Sequence, residues 1–114
     1  MGKILIVEDE PLLRFVTAET LRAANLDVVD LASADEAINY LLSETDVDLV
    51  FTDVNMPGAI DGLALAKTVK ENYPQIEVIV TSGRPRSPAE LNGLPFVAKP
   101  YHVDEVIELI RERL

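Results

Sequence analysis

Lys3-Ile4-Leu5-Ile6-Val7-Glu8-Asp9 is a short run of branched aliphatic residues that ends abruptly in two acids. Its apolar residues fall on both faces of an extended chain, the pattern of a strand buried within a parallel sheet. Leu49-Val50-Phe51 and Val78-Ile79-Val80 repeat the pattern, and each is again followed by polar groups, Thr52-Asp53 and Thr81-Ser82. With two weaker runs, the sequence predicts five strands, over residues 3–7, 27–31, 48–52, 77–81 and 95–98.

Amphipathic stretches separate these runs. Leu13, Val16, Leu21 and Ala24 give a first helix, opened by Pro11, one broad apolar stripe. Ser33 followed by Glu36 reads as a capping box ahead of Ala37, Ile38, Leu41 and Leu42. Asp61 can cap a third helix carrying Leu65, Ala66 and Val69, which must stop before Pro74. Val103, Val106, Ile107, Ile110 and Leu114 mark the last helix. Between the fourth and fifth strands, Ser87 to Glu90 starts a helix that Asn92-Gly93 and Pro95 close at once, so a fourth helix of one or two turns is expected. Strand and helix alternating five times argue for a doubly wound α/β parallel sheet with right-handed crossovers.

The 114 residues suffice for one core, with no second periodic block for an output domain, so residues 1–114 read as a single domain. Met1 argues mildly for an independent start. The formal charge of −10 disfavours nucleic acid and anionic membranes as partners. With no cysteine, disulfides and thiolate metal sites are excluded. The apolar N-terminal run is too short for a signal peptide or a membrane span, so a cytoplasmic location follows by default.

In doubly wound sheets ligands bind beyond the carboxyl ends of the strands. There the sequence places Glu8-Asp9, Asp53, Thr81-Ser82 and Lys99-Pro100. Three carboxylates on one rim repel each other unless a cation joins them, and an all-oxygen ligand set suits magnesium. A carboxylate needs no general base to attack phosphorus. It needs its repulsion with phosphoryl oxygens cancelled, by a metal on one side and Lys99 on the other. Asp53 is the expected nucleophile, and Ser82 the expected hydroxyl donor to the phosphoryl group.

Ile4-Leu-Ile-Val-Glu-Asp9, Asp53-Val-Asn-Met-Pro57 with Asp61-Gly62, Val80-Thr-Ser82 and Lys99-Pro100 together resemble the receiver domain of two-component response regulators, of the stand-alone type. The resemblance spans essentially the whole chain. It implies a flavodoxin-like sheet of order 2-1-3-4-5, for which receiver proteins are a standing example. It also implies phosphorylation of Asp53 with Mg2+ held by Glu8, Asp9, Asp53 and the backbone carbonyl of Asn55. Ser82 would be the switch hydroxyl, Lys99 the phosphate-contacting lysine, Phe96 the aromatic switch position, and Lys99–Pro100 a cis bond. The resemblance implies a signalling module, not a turnover enzyme: it catalyses only its own phosphorylation and slow autodephosphorylation. The phosphodonor would be a sensor histidine kinase or a histidine phosphotransfer protein, and the output an altered contact with a downstream protein. A homodimer is compatible with this reading.

The chain departs from the family pattern in four places. Gly83 stands where alanine is commoner, and Thr81 precedes Ser82, so the register leaves open which hydroxyl serves the site. Ala59-Ile60 lengthens the loop after Asp53. The fourth helix is halved, and Arg84 lies where the family tunes hydrolysis. Arg84 and Arg86 are expected in a solvated loop, and His102 is given no role. A receiver module of a hybrid kinase, or a phosphorylation-independent binding module of the same fold, is the alternative. A nucleotide-dependent oxidoreductase is excluded by the acidic turn after the first strand, and a phosphohydrolase by Asn55 where a second acid would be needed.

Overall fold

The computed structural model describes residues 2–114. Met1, on which the expectation of an independent start rests, lies outside them. Five strands and five helices alternate: β1 Lys3–Val7, α1 Pro11–Ala23, β2 Val28–Leu31, α2 Ala34–Ser43, β3 Val47–Asp53, α3 Gly62–Asn72, β4 Glu77–Ser82, α4 Pro88–Leu91, β5 Phe96–Ala98 and α5 Val103–Arg113. All pairings are parallel and the order is β2-β1-β3-β4-β5, as expected. Strand ends move by a residue from the expectation. The most consequential shift is that β3 runs on to Asp53, which pairs in register with Thr81.

Side chains alternate across a strand, so each strand feeds two cores. Leu5, Val7, Val50, Val78 and Val80 pack with Ala37, Leu41, Leu65 and Val69 of α2 and α3. Ile4, Ile6, Leu49, Phe51 and Ile79 pack on the other face with Ala18, Leu21, Val106 and Ile110 of α1 and α5. This parity fixes which rim residues share a face.

The helices start where the sequence places its caps. Asp61 accepts from Ala64 N–H at 2.9 Å, and Ser33 accepts from Glu36 N–H at 3.1 Å. The Ser33 box is only half formed, because the Glu36 carboxylate meets the Ser33 hydroxyl instead of its backbone N–H. The reciprocal box appears at Ser87 and Glu90, on the four-residue α4. That helix ends at Asn92 and Gly93, both with positive φ.

The stripe expected on α1 is corrected. The buried residues are Thr17, Ala18 and Leu21, whereas Val16 is 45% exposed, and Leu12 and Phe15 more so. At 100° per residue, Val16 and Leu21 point 140° apart, while Ala18 and Thr17 lie one turn from Leu21. Among the described residues no helix is long and apolar enough to cross a membrane.

Candidate functional site

Asp53 is the last residue of β3 and is 5% exposed. Its position is set by backbone contacts on both sides. Thr52 Oγ1 donates to the Asp53 carbonyl at 2.9 Å, Val54 N–H donates to Thr81 O at 2.9 Å, and Gly62 N–H returns to Val54 O at 2.9 Å. Gly62 is a close approach: a Cβ there would run into the Asp53 carbonyl. The longer loop between them is pinned from α2, where the Asp35 carboxylate accepts from Ala59 N–H at 3.3 Å.

Glu8 follows β1 and is buried; Asp9 beside it is half-buried. One carboxylate oxygen from each of Glu8, Asp9 and Asp53 lies within 4.8 Å of the others. Lys99 follows β5, held there by its N–H to Ser82 O at 2.9 Å and by a cis bond to Pro100. Its ammonium donates to Glu8 Oε1 at 2.7 Å and stands 3.1 Å from Asp53 Oδ2. Glu8 Oε2 also accepts from Glu10 N–H at 3.1 Å.

Burial pushes the Glu8 carboxyl up, and the Asp53 charge adds to this, against the opposing bonds from Lys99 and Glu10 N–H. Burial alone would pull Lys99 down. Its hydrogen bond to Glu8 and the Asp53 charge outweigh that, so the ammonium is held above its ordinary value. The rim therefore carries a firmly protonated lysine among acids that it does not fully neutralise. An oxygen-only trio with surplus negative charge fits a hard divalent cation such as Mg2+.

The two hydroxyls separate by parity. Ile4, Ile6 and Glu8 continue one face of β1; Leu49, Phe51 and Asp53 continue the same face of β3; Ile79 and Thr81 continue it on β4, and Val97 on β5 ahead of Lys99. Ser82 alternates to the opposite face with Val78 and Val80. The expectation that Ser82 faces Asp53 is thus corrected: the residue in register with Asp53 is Thr81. Thr81 Oγ1 is buried and has no hydrogen-bond partner, whereas Ser82 Oγ already accepts from Arg84 N–H at 3.1 Å and Arg86 Nε at 3.4 Å.

Asn55 lies exposed on the loop after β3, and its Oδ1 accepts from Arg86 Nη2 at 2.8 Å. Arg86 was expected in solvent, yet its side chain is only 14% exposed. Glu90, four residues on, is a local partner, but the Asn55 contact that turns Arg86 over the rim lies 31 residues away and has no local sequence signal. Arg84 and His102 are exposed, as expected. Phe96 is half-buried, pairs with Val80 and packs on the α2–α3 core. Behind the site, Tyr101 meets Phe51 edge-on at 5.6 Å and bonds Thr17 at 3.0 Å.

The model of the response regulator receiver domain matches residues 4–111. The DNA-binding transcriptional regulator NtrC of Klebsiella pneumoniae is 30% identical over 114 residues, covering 96% of this chain and 24% of that protein. The chain thus spans about a quarter of the length of the curated relatives it matches. Among solved structures, the response regulator TrrA of Thermotoga maritima, in complex with Mg2+-BeF, is 28% identical with a TM-score of 0.90, and all of each chain is covered. The receiver domain of the hybrid histidine kinase CckA is 34% identical with a TM-score of 0.82, covering 99% of each chain.

Proposed function

This chain belongs to the response regulator receiver domain family, whose members are signalling modules of two-component systems, and on that premise we propose that Asp53 is its phosphoacceptor. Receiver domains take phosphoryl groups from histidine kinases or phosphotransfer proteins. The observation that carries the reading is the setting of Asp53, 3.1 Å from the Lys99 ammonium and within 4.8 Å of two further acids.

Asp53 attacks phosphorus as a carboxylate. The new bond forms from its oxygen, the bond from phosphorus to the donor imidazole breaks, and the electron pair returns to the ring nitrogen, which takes up a proton. Lys99 offsets the charge that builds up between the carboxylate and the phosphoryl oxygens. Thr81, with an unspent hydroxyl on the Asp53 face, donates to a phosphoryl oxygen and takes the role expected of Ser82. Glu8, Asp9 and Asp53, with the Asn55 carbonyl, would hold Mg2+, which when bound supplies positive charge against the same repulsion. Water then releases the group slowly. Phosphorylation draws Thr81 and Lys99 toward Asp53, and Phe96, paired to Val80 beside Thr81, carries the change to the β4–β5 surface.

The domain acts as a cytoplasmic receiver module whose phosphorylation alters its contact with a partner surface. Its likeness to the CckA receiver favours one second reading, the same chemistry as a module of a hybrid kinase. Acetyl phosphate with Mg2+ is expected to add one phosphoryl group, seen by intact mass. Asp53→Asn is expected to abolish it, and full labelling of that variant would overturn the assignment.

A further inference from the structure

Arg86 is a cation at this rim that the phosphoacceptor chemistry leaves unused. It follows β4 by four residues and turns back over the strand end, with its guanidinium shared three ways. Nη2 donates to Asn55 Oδ1 at 2.8 Å, Nη1 to Glu90 Oε2 at 3.2 Å, and Nε to Ser82 Oγ at 3.4 Å. One side chain thereby ties the loop after Asp53, the end of β4 and the short helix α4. At 14% exposure it is far more buried than an arginine in a solvated loop.

The bond to Asn55 is the shortest of the three and has a chemical consequence. A guanidinium only donates, so the Asn55 amide must present its oxygen to Arg86 and keep its NH2 for other contacts. Asn55 stands two residues beyond Asp53 on an exposed loop, where solvent reaches the rim. Hydrolysis of a phosphoaspartate requires a water oxygen to bond to phosphorus as the bond from phosphorus to the Asp53 oxygen breaks. The electron pair leaves with the carboxylate, the water gives up a proton to solvent, and inorganic phosphate departs. A neutral acceptor beside the site, free to take a hydrogen bond from that water, would hold it for attack. Asn55 Oδ1 is such an acceptor, and Arg86 takes one of its two lone pairs and fixes the direction in which the amide oxygen points.

We propose that Arg86 is a positioning residue that lengthens the life of the phosphoaspartate by holding the Asn55 amide oxygen away from the attacking water. The inference rests on Asp53 being the phosphoacceptor. Glu90 is the counter-charge that keeps the guanidinium in place, so the short α4 is tied to the chemistry through Arg86.

The test labels the whole protein with acetyl phosphate and Mg2+, removes the donor by desalting, and follows loss of the phosphoryl group by intact mass. Arg86→Ala is expected to shorten the lifetime roughly three- to tenfold, the worth of one hydrogen bond. Asn55→Ala keeps its backbone carbonyl but has no amide oxygen, so in that background Arg86→Ala is expected to change nothing further. An unchanged lifetime in Arg86→Ala overturns the proposal. So does equal shortening in the Asn55→Ala background, since a merely structural arginine would act in both. Failure of the wild-type protein to label at all would instead remove the phosphoacceptor reading on which the proposal stands.

Discussion

Asp53 and Thr81 stand in register at the carboxyl ends of neighbouring parallel strands, on the same face of the sheet. The Thr81 hydroxyl is buried there without a partner. A buried polar group left unpaired costs about 1–3 kcal/mol, and here the cost is borne in the unphosphorylated state. A group that is strained in one state and satisfied in the other biases the equilibrium between them.

Replacing that hydroxyl with a methyl of similar shape is therefore expected to help folding while harming function. Thr81→Val should gain roughly 1 kcal/mol in urea denaturation, and should weaken the response to phosphorylation. Ser82→Ala removes an acceptor used by Arg84 and Arg86 and should lose stability instead. Equal losses of stability in both variants would contradict the assignment of the two hydroxyls.

The choice between these neighbours shows where the sequence stops being legible. Apolar runs without polar alternation mark buried parallel strands, so the five strands and the acids and lysine at their ends can be read in advance, while their order comes from the resemblance to receiver domains. The same uniformity hides phase: nothing in Val78-Ile79-Val80 says which face Thr81 or Ser82 takes until the Asp53–Thr81 register is known. Arg86 is hidden for a different reason. Its place depends on a side chain reaching across the rim to Asn55, which no local period encodes. The α1 stripe failed because sparse apolar positions admit more than one helical face, and the helix buries the one with the small residues Thr17 and Ala18.

Lys99 is the only cation bonded to both Glu8 and Asp53 among the described residues. Lys99→Met keeps the aliphatic stem and removes the charge, leaving buried acids uncompensated. Loss of about 3 kcal/mol is expected in chelator, the lower end for breaking a buried pair, because the raised Glu8 carboxyl can take up a proton. Mg2+ should restore most of the loss and bind more tightly than to the wild-type protein, since a competing positive charge is gone. Labelling by acetyl phosphate should slow. Weaker Mg2+ binding in calorimetry would show that the ion and the ammonium do not share these acids.

Two glycines near the site are expected to respond in opposite directions to the same added methyl. At Gly62 a Cβ has nowhere to go but into the Asp53 carbonyl, and backbone cannot move aside without displacing the acceptor. Gly62→Ala should cost about 3 kcal/mol and disturb labelling. At Gly83 no atom lies within 4 Å of the new Cβ. Gly83→Ala should be neutral or gain up to about 1 kcal/mol through the unfolded chain. Thermal melts of the two variants separate close approach from simple flexibility, and matching melts would contradict the geometry.

The cap of α4 gives stability a pH dependence whose sign is fixed. The Glu90 carboxylate accepts from Ser87 N–H at 3.1 Å and from Arg86 at 3.2 Å. The Ser87 backbone bond, then Arg86, holds its carboxyl below the usual value of 4.5. A depressed folded value means that the unfolded chain binds the proton more readily. The stabilisation is therefore complete above pH 4.5 and is lost as pH falls through the folded value. The group is exposed, so the effect is small and weakens with salt. A side-chain titration by NMR should place Glu90 below 4.5 in the wild-type protein and closer to it in Arg86→Ala, with Ser87 N–H still bound. Should Glu90 titrate identically with and without Arg86, the guanidinium does not hold the helix to the rim, and α4 is capped by Ser87 alone.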